Sequence, residues 1–122
     1  LIIGGRGLAR RLFALTNTFE FEVLDAKEAA EELGFTFVQA HAPACELRGE
    51  EMEQGLLATI RSIEACGMLG IKEMVIHSGA FPEFKYPADE QAYFEANAPF
   101  FRALIPAMEA NSYYVLKFNF WR

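Results

Sequence analysis

Two similar stretches of sequence decide the fold: FTFVQAHAP at residues 35–43 and IKEMVIHSG at residues 71–79. Each is an apolar run with the aromatic or β-branched content of a buried strand, and each ends in a histidine that a turn signal follows. His41 and His77 are the only two histidines of the chain. We therefore predict two parallel strands with a histidine at the carboxyl end of each, where parallel α/β folds place ligand sites.

The segment between these strands has the pattern of a helix. From residue 50 to residue 66 the apolar positions recur at helical spacing and form one stripe, which indicates a face packed on a core. These positions are Met52, Leu56, Leu57, Ile60 and Ile63. Gly67 is well placed to end the helix. The pattern over residues 35–77 is thus strand, helix, strand.

The flanking segments extend the same alternation. Asp89 is a plausible N-cap for a second helix that keeps its apolar spacing to about Asn111, and Pro99 and Pro106 inside it predict a kink or a break. Residues 113–120 have the aromatic and β-branched content of a third strand. Upstream, residues 26–33 predict a short helix closed by Gly34, and residues 18–24 a further strand. The whole pattern is that of βα repeats with parallel strands.

Composition bounds the chain to one domain. It has 122 residues and 52% hydrophobic content, enough to fill a core. We assign residues 1–122 to a single domain in which 1–17 are poorly defined and 18–122 carry the βα repeats. The GGRG stretch at residues 4–7 lacks the third glycine of a dinucleotide loop, because Arg10 stands there, and we interpret it as a turn before a short helix. The first residue is not methionine, so we expect a trimmed or partial sequence.

Charge and cysteine content exclude several classes of function. A formal net charge of -6 repels a phosphate backbone, so nucleic acid is an unfavourable partner. No apolar run reaches the roughly 20 residues that span a bilayer. Two cysteines without a Cys-x-x-Cys pair indicate a reducing compartment, and we expect a cytoplasmic protein. We interpret Cys66 as a core residue and Cys45 as core too, with contact to a metal or substrate as its alternative.

Four motifs occur in order along the chain and point to one superfamily. They are the strand end HAP at residues 41–43, the segment RSIEAC at 61–66 followed by GIK at 70–72, the strand end VIHSG at 75–79, and the run FRALIP at 101–106. Together, residues 26–119 resemble the front half of the xylose-isomerase-like TIM barrels. That superfamily comprises sugar-phosphate isomerases and epimerases and also contains the apurinic endonucleases.

The resemblance implies a divalent-metal and substrate site at the strand ends, with His41 and His77 at matching positions. In the isomerase branch such histidines line the sugar pocket, and in the endonuclease branch they bind zinc. A neutral imidazole can do either, since it offers one donor and one acceptor and is the commonest metal ligand. The implied cofactor is a divalent metal (Mn, Mg, Co or Zn), with no bound metal as the alternative. The alternative for either residue is a purely structural histidine that caps the end of its strand by hydrogen bonds to the following loop.

The chain departs from the family at Phe118. The next strand of the family ends in a Val-Leu-x-Glu-Asn pattern whose glutamate binds the metal, and here residues 115–119 read VLKFN. A phenyl ring cannot replace the carboxylate oxygens that hard divalent ions prefer. Moreover, a (β/α)₈ barrel takes about 250 residues. We therefore expect a partial TIM barrel, about half a barrel with parallel strands, that lacks part of its ligand set.

The sequence thus predicts a fragment of a metal-dependent sugar or sugar-phosphate isomerase or epimerase of carbohydrate metabolism, expected to be inactive alone. His41, His77 and Lys85 are the candidate substrate-binding residues, Lys85 as a point charge for a phosphate, and the two histidines are also candidate metal ligands. Glu46 and Glu83 follow strand ends and could reach the same pocket. The alternatives are an apurinic-endonuclease-like zinc enzyme fragment and a non-catalytic half-barrel that serves assembly. We expect a sugar ligand, and self-association or pairing with the missing half.

Overall fold

The chain alternates helices and strands. The computed structural model describes residues 19–79, 81–85, 87–111 and 115–119, with side chains for 22–79, 81–85 and 87–111. The elements are α1 (Phe19–Glu32), β1 (Gln39–His41), α2 (Met52–Leu69), β2 (Glu73–His77), α3 (Glu90–Ala110) and β3 (Val115–Asn119). Three predictions lie outside the described residues: the turn at the glycine stretch 4–7, the short helix after it and the poorly defined segment 1–17.

The three strands form one parallel sheet in the order β1-β2-β3, which confirms the predicted parallel βα repeats. Gln39 pairs with Glu73, and Glu73 pairs with Val115. Each connection between neighbouring strands runs through a helix, α2 and then α3, as a parallel pair requires. All three carboxyl ends therefore lie at one edge of the sheet.

The core lies between one face of the sheet and the helices. Met74 and Ile76 of β2 are 1% and 2% exposed, and they belong to one apolar cluster with buried residues of α2 and α3. These helix residues are Ile63, Cys66, Phe100 and Leu104. Cys66 is a core residue, as predicted. Because side chains alternate along a strand, Glu73, Val75 and His77 belong to the opposite face of the sheet.

The predicted strand at residues 18–24 is wrong, because α1 covers Phe19–Glu32. The alternation of phenylalanine and glutamate at residues 19–22 imitates a strand period, but burial follows the helical one. Val23 and Ala30, seven residues apart, are buried, and Val23 packs against Ala65 of α2. Gly34 closes the segment with a φ of 71°, as predicted for residues 26–33.

The end of α2 also differs from the prediction. The helix continues past Gly67 to Leu69, and Gly70 ends it in the left-handed region with a φ of 73°. The N–H groups of Gly70 and Ile71 donate to the carbonyls of Gly67 and Cys66, which is the usual way of closing a helix. Gly67 is instead a packing residue: a Cβ there would meet Oδ1 of Asn111 at 2.5 Å.

Helix α3 is not broken at its prolines. It runs unbroken from Glu90 to Ala110 with Pro99 and Pro106 inside, so the predicted break does not occur. Both prolines are exposed, so water can reach the carbonyls that lose their helical partners. Phe100 and Leu104, both fully buried, anchor the helix to the core beside them.

The strands predicted at residues 35–41 and 71–77 are both shorter in the structure, the second because β2 begins at Glu73. Only Gln39–His41 of the predicted strand 35–41 is paired, because β2 begins at Glu73 and offers no partner to the residues before Gln39. Of the predicted strand 113–120, Val115–Asn119 is a strand, and 113, 114 and 120 lie outside the described residues. Within the described part, no helix is long and apolar enough to cross a membrane.

Candidate functional site

The two histidines lie side by side at the carboxyl edge of the sheet. Their ring centres are 5.8 Å apart and the ring planes are tilted by 42°. The imidazole of His41 is exposed, and His77 is half-buried. The prediction that each histidine ends its strand is confirmed, and the structure brings the two together.

The strand register explains how they meet. His41 is paired with Val75 and not with His77, which lies two residues further along β2. Partners in a parallel pair share a face, and so do residues two apart in a strand. His41, Val75 and His77 therefore belong to the face opposite the helices. Since β1 ends two rows earlier than β2, the rings approach each other diagonally across the edge.

The turn that follows His77 is fastened to helix α3. Asn97, which is 5% exposed, accepts a hydrogen bond from the N–H of Gly79 at 2.8 Å and donates from Nδ2 to the carbonyl of Tyr93. The Tyr93 hydroxyl donates to the Gly79 carbonyl at 2.8 Å and lies 2.7 Å from Oγ of Ser78. A tyrosine has a single hydroxyl proton, so Ser78 is the donor in the second contact. Both polar groups of Gly79 are thus bound by one helix.

An ion pair joins the loops that follow the two histidines. The Arg48 guanidinium donates to both carboxylate oxygens of Glu83, with Nη2 and Oε2 3.1 Å apart, and its Cζ lies 4.5 Å from the ring centre of Phe81. The hydrogen bonds from Arg48 hold the pKa of the Glu83 carboxyl below its ordinary range. Phe81 is buried and packs edge to face on Tyr93. The pair therefore covers an apolar cluster at the carboxyl edge of the sheet.

The other candidate loop residues lie apart from this arrangement. Lys85 is exposed, and its backbone N–H donates to Oδ2 of Asp89 at 2.8 Å. Asp89 directly precedes α3, as predicted, but its carboxylate caps this loop and makes no capping bond to the helix. Glu46 is exposed. Of the predicted loop charges Glu46, Glu83 and Lys85, only Glu83 takes part in the ion pair that joins the two loops.

Cys45 lies in the first loop, the one that follows His41, and packs against α2. Its Sγ lies 3.9 Å from Oγ1 of Thr59 in α2, and burial raises the pKa of its thiol above the ordinary value. Gly55 allows this close approach, because a Cβ there would come within 2.8 Å of the Cys45 Cβ. The core interpretation of Cys45 is supported by this packing.

The described residues do not make a metal site by themselves. Two imidazoles bound to one ion through nitrogens about 2.0–2.1 Å away could have their ring centres at a separation such as the one observed. A stable site needs further donors, however, and the described residues contain no group of three or more His, Cys, Asp or Glu that could hold an ion. The donor set therefore does not fit a resident metal without ligands from outside the described residues.

A sugar epimerase shares this fold. The solved apo structure of the 3-keto-D-glucoside 4-epimerase YcjR from E. coli matches 90% of the chain with a TM-score of 0.65 and 19% sequence identity. The chain spans 43% of the length of that enzyme. No protein-family model and no curated sequence matches the chain. At this identity the likeness concerns the fold, an α/β arrangement of the kind that the motifs predict.

Phe118 occupies a different row of the sheet from His77. It pairs with Ile76, whereas Asn119 pairs with His77. Ile76 belongs to the helix-covered face, on which no histidine of β1 or β2 lies. The row that continues from His77 thus carries Asn119.

Sequence reasoning missed the residues that support the site. Neither Tyr93 nor Asn97 is among the site residues that the sequence predicts. An asparagine four residues after a tyrosine, both near the core stripe of one helix, was the available signal. The pairing of Arg48 with Glu83 could not be predicted from a local sequence pattern, because the two residues are 35 positions apart.

Proposed function

We propose that this chain forms one sector of a sugar isomerase or epimerase site, with His41 and His77 lining the sugar pocket. The observation that carries the proposal is the 5.8 Å spacing of the two imidazoles at the carboxyl edge of a parallel sheet. The fold shared with a 3-keto-D-glucoside 4-epimerase supports the same substrate class. We extend the proposal to the architecture: a partial (β/α)₈ barrel over residues 1–122.

Two neighbouring imidazoles suit the chemistry of a sugar. Each neutral ring offers one donor and one acceptor, so a pair of rings can bind the oxygens of two adjacent carbons at once. Isomerisation and epimerisation move a proton next to a carbonyl, and a ring nitrogen of an imidazole can accept or donate a proton at such a position. In this chain the exposed ring of His41 contacts the ligand from the solvent side, and the half-buried ring of His77 orients it from the side of the sheet.

A divalent metal belongs to the proposal only as a group completed by other residues. When bound, Mn, Mg, Co or Zn would polarise the sugar oxygens. Among the described residues, the two histidines form no group with a third His, Cys, Asp or Glu that could hold an ion. We therefore route no step through a metal, and binding and orientation by the histidines stand without it. If the sugar carries a phosphate, Lys85 binds it from the loop that follows His77.

The complete reaction needs more chain than these residues supply. Sites of (β/α)₈ barrels are assembled from the loops of all strands, and this chain spans 43% of the epimerase it resembles. We propose that the chain alone binds but does not turn over sugar. In the described part of the chain neither the outer edge of β1 nor that of β3 is paired, and such edges favour pairing with a second copy or another barrel half.

Saturation-transfer NMR on the full chain tests the binding. The probes are D-glucose, D-fructose and D-glucose 6-phosphate at millimolar concentration. We expect transfer to at least one probe with the wild-type chain and loss of transfer with the double variant His41→Gln/His77→Gln. Lys72→Gln is the control, because Lys72 is exposed at the amino end of β2, away from the site. Lys85→Gln should weaken binding of the phosphorylated sugar alone.

Three results would contradict the proposal. Full transfer in the double histidine variant would place sugar binding elsewhere. Binding of an abasic-site DNA duplex in place of every sugar would favour the endonuclease branch. A defined oligomer by light scattering that binds none of the probes would favour a non-catalytic assembly module.

A further inference from the structure

We propose that Tyr93 and Asn97 of helix α3 are positioning residues for the histidine pair. They act through the turn Ser78–Gly79 and hold His77 where it meets His41. The inference rests on the proposed function only for its consequence in sugar binding, because the positioning itself is a property of the chain.

The turn has little freedom in the folded chain. Its backbone N–H and C=O at Gly79 are both taken by α3, at 2.8 Å each, and the Ser78 hydroxyl is taken by the same tyrosine at 2.7 Å. Asn97 is almost fully buried, so losing its bond to the Gly79 N–H would leave a polar group buried without its partner. The turn therefore moves only if α3 moves.

Packing closes the turn from the other side. A Cβ on Gly79 would lie 2.8 Å from Cζ of Phe81 and 3.3 Å from Cβ of Leu47, so the backbone of the turn is pressed against both side chains. Phe81 in turn packs edge to face on the Tyr93 ring, with ring centres 5.7 Å apart. The Tyr93 ring and hydroxyl thus hold the same turn from two directions.

The position of the turn affects the orientation of His77, because Ser78 and Gly79 are the next two residues of the chain. His77 is the last residue of β2, and the chain leaves the sheet directly after it. His77 is the last paired residue of β2, opposite Asn119, so the direction of the peptide that joins it to Ser78 depends on where Ser78 and Gly79 are held. A turn released from α3 lets the ring rotate away from His41, which belongs to another strand and cannot follow.

Two variants and one matched control test the inference in the full chain. Tyr93→Phe removes both hydroxyl contacts and keeps the ring on Phe81. Asn97→Ala removes the acceptor of the Gly79 N–H. The control is Asn111→Ala, because Asn111 also donates from Nδ2 to the carbonyl four residues earlier at 2.8 Å but lies at the other end of α3. The readouts are the ring signals of His77 in a histidine-labelled sample and the exchange rate of the Gly79 amide.

We expect the His77 ring signals to shift or broaden in Tyr93→Phe and Asn97→Ala and to stay unchanged in Asn111→Ala. The Gly79 amide should exchange about tenfold faster in Asn97→Ala, on the order of one lost hydrogen bond. Unchanged His77 signals in a folded Tyr93→Phe variant would overturn the inference and leave α3 a purely structural role. Should Asn97→Ala fail to fold, Tyr93→Phe decides alone, since it keeps the side-chain packing.

These readouts need no sugar, so they separate the two proposals. Altered His77 signals together with no sugar binding by the wild-type chain would keep the positioning role and reject the proposed function. If both hold, Tyr93→Phe weakens sugar binding severalfold, and Asn111→Ala leaves it unchanged.

Discussion

His41 and His77 face each other across the carboxyl edge of the sheet although they are not register partners. His41 is level with Val75, and only the diagonal offset between β1 and β2 brings the ring centres within 5.8 Å. A shift of β1 by one residue would move His41 to the helix-covered face. The site therefore depends on the register of a strand that is only three residues long.

The stability of the chain should depend on the close packing between the first loop, which follows His41, and α2. Gly55→Ala places a methyl group 2.8 Å from the Cys45 Cβ and 3.0 Å from the Glu46 carbonyl oxygen. Alanine normally stabilises a helix interior by up to about 1 kcal/mol relative to glycine. Here we expect the opposite, a loss of about 1–3 kcal/mol from overpacking. Urea denaturation followed by circular dichroism measures the change.

Gly67→Ala is the companion variant, and it should cost less. Its methyl group meets only side-chain atoms of Asn111, the amide oxygen at 2.5 Å, which can rotate away, and the Cβ at 3.1 Å. Gly55 instead faces a Cβ at 2.8 Å and a backbone oxygen at 3.0 Å. The double variant Gly67→Ala/Asn111→Ala should recover part of the loss. A chain that is stabilised by Gly55→Ala would contradict the close approach of the first loop to α2.

Two phenylalanines of α3 should respond very differently to truncation. Phe100 is fully buried in the main core, and Phe94 is 59% exposed on the same helix. We expect Phe100→Ala to lower the free energy of unfolding by about 3–5 kcal/mol. Phe94→Ala should change it by less than about 0.5 kcal/mol, in the range of surface substitutions. Thermal and urea denaturation measure both variants. Equal losses of stability in Phe100→Ala and Phe94→Ala would mean that α3 packs by another face.

The Arg48–Glu83 pair should make the contact between the two loops depend on pH. Arg48 lowers the pKa of Glu83 in the folded chain, so the contribution of the pair to stability is present above the pKa of glutamate in the unfolded chain. It is lost as the pH falls through the lowered pKa of Glu83. Titration of the Glu83 side-chain carboxyl by ¹³C NMR measures this directly.

Arg48→Gln is the matching variant. Without the guanidinium, we expect the pKa of Glu83 to rise to its ordinary range and the acid dependence of the loop contact to disappear. High salt should act in the same direction, because both side chains are exposed to solvent. A Glu83 pKa that is identical with and without Arg48 would refute the pairing.

The Cys45 thiol should react slowly at neutral pH. Burial raises its pKa, so a smaller fraction is present as the reactive thiolate. We expect alkylation by iodoacetamide to be slower than that of a small free thiol and to accelerate as the pH rises through the raised pKa. Thr59→Val removes the hydroxyl beside the sulfur and should slow the reaction further, because that hydrogen bond favours the thiolate. Faster alkylation than the free thiol would contradict the packing of Cys45.

The sequence carried the positions of the histidines because a strand end needs only local information. An apolar run with a turn signal after it locates His41 and His77 without any knowledge of the remaining chain. The same reasoning failed at residues 18–24, where a local alternation imitates a strand but Val23 and Ala30 are buried with a helical period. Long-range packing decides such cases.

The parts that sequence reasoning missed are contacts between distant residues. Gly67 has the chemistry of a helix end, and only the side chain of Asn111, 44 residues later, shows that it is a packing residue. Of the kink or break predicted at Pro99 and Pro106, the break does not occur: both prolines are exposed, and Phe100 and Leu104 beside them are buried. Tyr93 and Asn97 became visible as supports of His77 only once α3 was placed beside the turn.

A nuclear Overhauser measurement between the two histidine rings tests directly whether His41 and His77 form one site. The chain has only two histidines, so a sample labelled at histidine gives an unambiguous spectrum. We expect a ring-to-ring cross-peak in the full chain that disappears in His41→Gln. A folded chain with two sharp ring signals and no cross-peak between them would show that His41 and His77 belong to separate places, and the shared sugar site would fall with it.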